Sequence, residues 1–229
     1  MTDSGQASVI VAIDGPAGAG KSTVAREVAR RLGFLYIDTG AMYRAVAALS
    51  LRQGLPVDDE VGLARLAASA AFEFRPDDGS QRLFVDGKDF SELIRTPEVT
   101  ELSSPVSAVP GVRRALVDAQ RAMAVGRSVV MEGRDIQTVV FPHATVKIYL
   151  DADPYERARR RHSELAAKGV TVSFDEVIED IEERDARDST RADSPLRAAP
   201  NATVVDTTDM TLEQVIERIL ELAPSKVQD

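Results

Sequence analysis

A chain of 229 residues, 44% hydrophobic and 28% charged, has the apolar content for a core and the size of one compact α/β domain with room for a small inserted lobe. It has no cysteine, which excludes disulfides, thiolate metal sites and a cysteine nucleophile, and no apolar stretch is long enough to cross a membrane. Residues 1–8 lack the basic region and apolar run of a signal peptide, so a cytoplasmic protein is expected, and a net charge of −9 argues against long nucleic acid and anionic membrane surfaces as partners.

Residues 9–13 form a short apolar run of the kind that buried parallel strands show. A glycine-rich turn follows. Residues 21–32 then place Val24, Val28 and Leu32 on one helical face, with Gly33 as the stop. Residues 34–37 read as the next strand, and such a crossover implies parallel pairing. A helix is expected over residues 41–52, ending at Gly54, and Asp58 or Asp59 can cap another running to Leu66. Phe72 and Phe74 alternate with polar residues, residues 77–80 make a turn, and residues 82–86 make a returning strand. Asp86-Gly87 is a second turn signal. This hairpin breaks the βα rhythm, so residues 66–104 read as an insertion into a core made of residues 1–65 and 105–229. Residues 112–125 are expected to be helical, and the β-branched runs 128–131 and 145–150 to be core strands. Pro154 fits the first turn of a helix holding Arg157, Arg159, Arg160 and Arg161. Ser173 with Glu176 is a capping box opening a long charged helix towards Asp188. A last strand over residues 202–205 precedes a helix capped by Thr211 and Gln214, with Val215, Ile216, Ile219 and Leu220 as its apolar stripe.

The run Gly15-Pro16-Ala17-Gly18-Ala19-Gly20-Lys21-Ser22 fits G-x-x-x-x-G-K-[ST] and sits between an apolar strand and an amphipathic helix, the context this motif requires. Glycines let the backbone turn its N–H groups inward as an anion nest, and the helix adds its positive end. Lys21 can reach the β and γ phosphates of a nucleoside triphosphate, and Ser22 can place its hydroxyl on Mg²⁺. No D-x-x-G with N-K-x-D of a GTPase stands in a suitable place. The expected fold is therefore α/β, a P-loop parallel sheet flanked by helices with a small inserted lobe containing an antiparallel hairpin.

Three further strings point to a second polyanion. Asp38-Thr39-Gly40-Ala41-Met42-Tyr43-Arg44 stands at the end of the second strand, on the same edge of a parallel sheet as the P-loop. Glu132-Gly133-Arg134-Asp135 is another strand end. In the helix beginning near Ser173, Arg184, Asp188 and Arg191 fall near one face. Each taken alone also reads as a cap or a surface ion pair. Together with Ile13-Asp14 before the P-loop, Thr23 after it, and Thr138 to Pro142, they give a chain that resembles the bacterial cytidylate kinases over residues 9–222.

The resemblance implies ATP-dependent, Mg²⁺-assisted phosphorylation of CMP or dCMP; a monomer is expected, although the sequence itself does not fix the oligomeric state. It implies that residues 66–104 serve the monophosphate and that residues 154–169 form a mobile lid. It places Gly15 to Thr23 on the donor, with Arg157 and Arg161 on the lid over ATP. It assigns Lys21, Arg44 and Arg134 to catalysis, and Thr39, Arg44, Arg113, Arg134 and Asp135 to the acceptor phosphate and sugar. Ser104 and Arg191 would read the cytosine, and Arg184 and Asp188 would hold the ribose.

Overall fold

The computed structural model describes residues 8–77 and 80–224. From the amino end, strand β1 (Ile10–Asp14) runs into helix α1 (Lys21–Leu32) and strand β2 (Leu35–Asp38). Helices α2 (Thr39–Gln53) and α3 (Glu60–Ser69) precede a meander of β3 (Phe72–Asp77), β4 (Ser80–Val85) and β5 (Lys88–Asp89). A 3-10 turn at Leu93–Arg95 leads to α4 (Pro97–Ala108) and α5 (Pro110–Met123). Strand β6 (Val129–Gly133), a π-turn at Ile136–Val140, β7 (Val146–Asp151), α6 (Pro154–Ala167), α7 (Phe174–Thr190), β8 (Thr203–Asp206) and α8 (Leu212–Leu222) complete the chain. Contacts divide it into two compact units. One holds the chain up to Tyr36, Met123–Thr190 and the residues from Pro195 on; the other holds Ile37–Ala122 and Arg191–Ser194.

The first unit is built on a five-stranded sheet of order β2-β6-β1-β7-β8. Strand β1 pairs in parallel with both β6 and β7, and β7 pairs in parallel with β8. Val11, Ala12 and Ile13 are wholly buried, because helices leave no wet face on the central strand; hence its unbroken apolar run. Val24 and Val28 of α1 and Val215, Ile216 and Ile219 of α8 belong to the same core as Ile13, Ile148 and Leu150. Burying each such aliphatic side chain contributes about 1.5–3 kcal/mol. Gly33 stops α1 at φ 65°, and Thr211 with Gln214 forms the expected reciprocal cap on α8. The Ser173–Glu176 box also forms, with the Ser173 N–H donating to the Glu176 carboxylate at 2.8 Å. Helices α6 and α7 share an apolar cluster of their own, in which Ala158, Val177 and Ile181 meet Leu165, Val172, Phe174 and Ile178.

In the second unit α2 packs against α3, α4 and the 3-10 turn. Its buried side chains include Met42, Val46, Leu63, Leu83, Phe90, Val99 and Val106. Strand β3 pairs antiparallel with β4 in the register Phe72↔Val85 and Phe74↔Leu83; residues 78–79 of the expected turn lie outside the described residues. The Asp86-Gly87 signal is realised as two successive left-handed residues, φ 50° and 74°, the two-residue hairpin geometry that joins β4 to β5. Helix α2 starts at Thr39 rather than at residue 41, because the Asp38 carboxylate caps it by accepting the Ala41 N–H at 2.9 Å. Helix α4 was not legible as a helix: Pro105 lies inside it, although Thr96 at its N-cap and Pro97 in its first turn are ordinary start signals.

Candidate active site

In the first unit, β1 delivers the chain into the loop from Gly15, which closes on α1. Gly18 and Gly20 adopt φ 76° and 83°, and α1 begins at Gly20 with no side-chain cap, so the first amides of the helix keep their capacity for an anion. Lys21 is buried, and its Nζ donates to the Pro16 carbonyl at 2.6 Å. Burial pushes its pKa down to about 7, and the Arg134 guanidinium adds to the fall, while the carboxylates of Glu132, Asp14 and Asp188 oppose it. Ser22 and Thr23, on the first turn of α1, are exposed.

Arg134 leaves the end of β6 and gives its Nε to Asp188 of α7 at 2.8 Å. Burial disfavours its charge, but Asp188, with Glu132 and Asp185, more than compensates, and its pKa lies above the ordinary arginine value. Arg184, one turn before Asp188, is the opposite case. Its nearest carboxylate, Asp180, is 3.5 Å away on an exposed helical turn; burial, reinforced by Arg134 and Arg161, lowers its pKa. Lys21, Arg134 and Arg184 are thus partly desolvated cations whose mutual repulsion a bound polyanion would relieve. Asp135 is buried at the start of the π-turn, where its carbonyl accepts the Val139 N–H at 2.8 Å.

In the second unit Thr39 is buried at the start of α2, and Arg44 donates to Asp38 at 3.0 Å. Arg113 of α5 is buried, gives Nη1 to the Ser107 carbonyl at 3.1 Å and lies over the Tyr43 ring at 5.6 Å. Ser104 is half-buried within α4, and its carbonyl accepts from Ser107. Arg191 follows the end of α7, so the helical spacing that put it on a face with Arg184 and Asp188 does not apply. It sits in a turn with Ser194 at φ 53°, giving Nε to the Ser194 carbonyl at 2.6 Å.

The cytidylate kinase family pattern matches residues 11–225. The chain belongs to the cytidylate kinase family. A cytidylate kinase of Pelotomaculum thermopropionicum is 54% identical over 211 residues, covering 92% of this chain and 93% of that one. One from Solibacter usitatus is 51% identical over 229 residues, covering 99% and 97%. Among solved structures, an uncharacterized protein from Eubacterium ventriosum superposes with a TM-score of 0.55 at 10% identity over 95% of this chain and 99% of that one, a likeness of fold alone.

Within this cytidylate kinase fold, some side chains named in the sequence have bracing roles that sequence reasoning did not give them. Asp14, at the end of β1, is wholly buried and accepts the N–H groups of Ile136 at 3.0 Å and Gln137 at 2.9 Å. Burial raises its pKa to about 6 against those two amides. Glu132 accepts the Tyr36 hydroxyl at 2.8 Å. Arg157, expected over the donor from a lid, is buried and gives its guanidinium to the carbonyls of Ala152 and Ala17 and to Asp185. Arg161 lies half-exposed and pairs with Glu164 at 3.0 Å. The only available signal for Asp14 was a carboxylate at the end of an apolar strand, next to the P-loop.

Proposed function

We propose that this protein transfers the γ-phosphate of ATP to CMP or dCMP, giving CDP or dCDP and ADP. The observation that carries this reading is the cluster of Lys21, Arg134 and Arg184, partly desolvated cations held beside a P-loop. An oxygen of the acceptor phosphate attacks the γ phosphorus, and the bond from that phosphorus to the β–γ bridging oxygen breaks, its electron pair leaving with ADP. The attacking oxygen is already anionic, so no protein base is needed and Asp135 is not given that role. Catalysis is then positioning and charge neutralisation. The amides from Gly18 on and Lys21 hold the donor. Arg134 serves the transferring phosphoryl group and Arg44 the acceptor phosphate, planar forks being suited to bidentate contacts. Thr39, Arg113 and Asp135 serve the acceptor phosphate and sugar, Arg184 and Asp188 the ribose, and Ser104 and Arg191 the cytosine.

The exposed Ser22 hydroxyl, a hard oxygen on the turn that carries Lys21, fits Mg²⁺, which when bound supplies charge neutralisation on the β and γ phosphates. Residues 154–169 act as the lid; α6 and α7 share an apolar cluster of their own, and Arg157 ties the start of α6 to the P-loop at the Ala17 carbonyl. Residues 66–104, with their own small sheet, serve the monophosphate. The protein works in the cytoplasm as a monomer. No helix among the described residues is long and apolar enough to cross a membrane.

The test is a panel of acceptors with Mg²⁺ and ATP, read as ADP release. CMP and dCMP are expected to lead; a preference for AMP, GMP or shikimate overturns the assignment. In the same assay Arg184→Ala is expected to raise KM for CMP about tenfold or more, as loss of one charge-assisted contact implies, and to change KM for ATP far less. Equal losses would make this stretch of α7 structural.

A further inference from the structure

Asp185 stands between Arg184 and Asp188 on α7 but faces the donor loop. One carboxylate oxygen accepts the Ala17 N–H at 3.1 Å, and the other takes the Arg157 guanidinium. Arg157, from α6, has a side chain only 6% exposed and returns to the same residue by donating to the Ala17 carbonyl at 3.1 Å. A third bond, to the Ala152 carbonyl at 2.9 Å, fixes the guanidinium. A Cβ placed on Gly18 would lie 3.1 Å from both the Cβ and the carbonyl oxygen of Arg157, so α6 lies directly against the loop. One residue of the P-loop is thus gripped at its N–H by α7 and at its C=O by α6.

This arrangement is electrostatically awkward for a triphosphate site. A carboxylate hydrogen-bonded to the loop repels the donor, and a neutral amide could hold the same N–H without that penalty. Its presence is explained by the pairing it makes with Arg157, which links the two helices and the loop in one charged network. We infer that Asp185 is a positioning residue that couples acceptor binding to donor binding. The inference rests on the kinase reading above. An acceptor held by Arg184 and Asp188 orders α7, the ordered helix fixes Asp185, and Asp185 with Arg157 fixes the Ala17 peptide in its donor-binding conformation. By linkage the effect is reciprocal.

Titration calorimetry with Mg²⁺ and the non-hydrolysable β,γ-imido analogue of ATP, with and without saturating CMP, measures the coupling directly. For the wild type, CMP is expected to tighten analogue binding about 5-fold or more, within the usual range of such couplings. Asp185→Ala is expected to bring that factor towards one, with a much smaller change in the affinity for the analogue alone. In turnover, its KM for ATP at saturating CMP rises more than kcat falls. Arg157→Ala and the double variant should reach the same value as Asp185→Ala, because the two side chains act as one unit. Arg187→Ala, an exposed neighbour on α7 whose Nε reaches only the Glu183 carbonyl, should keep the full coupling. If Asp185→Ala folds poorly, the isosteric Asp185→Asn, which loses the charge opposite Arg157, should show the same direction of change. Weakened analogue binding with an unchanged coupling factor would mean that Asp185 merely holds the loop, and overturns the inference. So would a wild type that phosphorylates CMP with no coupling at all. A wild type that does not phosphorylate CMP removes the kinase reading itself.

Discussion

Lys21→Ala is expected to lower kcat about 100-fold or more, the usual cost of removing one charge aimed at a transferring phosphoryl group, while cooperative unfolding is retained. The fold should survive because the hydrogen bond of Nζ is made to Pro16 within the same loop, and because a buried ammonium already opposes folding. Near-normal turnover would overturn the donor-site assignment. The same residue gives a pH signature. Its folded pKa, about 7, lies below the ordinary 10.5, so between these values the unfolded chain binds a proton that the folded protein releases. Through Lys21, the unliganded protein is destabilised fully below about pH 7 and gains stability as pH rises across that window. A bound triphosphate restores the charge. At pH 8 donor binding should therefore take up a fraction of a proton, seen as a buffer-dependent binding enthalpy that Lys21→Met abolishes.

Gly15→Ala should be the most damaging small substitution in the loop. A Cβ there would lie 2.0 Å from the carbonyl oxygen of Leu150, backbone of the strand next to β1, at φ 154°. Neither strand can yield without breaking the parallel ladder that starts from Val11↔Val146. The expected loss is about 3 kcal/mol or more, read as a fall in the urea midpoint. Gly20→Ala is the comparison: it has a left-handed φ of 83° but open space around the added methyl, so only about 1–2 kcal/mol of backbone strain is expected. Equal midpoints for the two variants would show that strain, and not the Leu150 carbonyl, governs Gly15.

What the sequence made legible was local chemistry. The P-loop could be read because glycine spacing, a flanking strand and an amphipathic helix are adjacent in the chain. The caps at Ser173 and Thr211 and the Asp86-Gly87 turn were legible for the same reason. Helix α4 was obscured by Pro105, and the helical period read through Arg191 runs one residue past Thr190, where the helix ends. Asp185 could not be read as a clamp on the loop, since its partner Ala17 is 168 residues away. Nor could Arg157, whose neighbours Arg159, Arg160 and Arg161 disguised the one buried guanidinium in the cluster. The arginines suggested a multiply charged ligand, but only packing separates those that meet solvent from those that brace backbone.

The order β2-β6-β1-β7-β8 has a consequence for biosynthesis. The first residue pairs that β1 makes with its two neighbours, Ile10↔Val129 and Val11↔Val146, lie 119 and 135 residues apart in the chain. At ~10 residues per second, the ribosome needs roughly ten seconds after making β1 to supply its first partner. For that time Ile10, Val11, Ala12 and Ile13 form a nascent, uncovered β-prone segment with both edges open. Its escape from aggregation depends on translation speed and chaperone occupancy at the exit tunnel, so slowing codons between residues 14 and 129 should lower the yield of soluble protein without changing one amino acid.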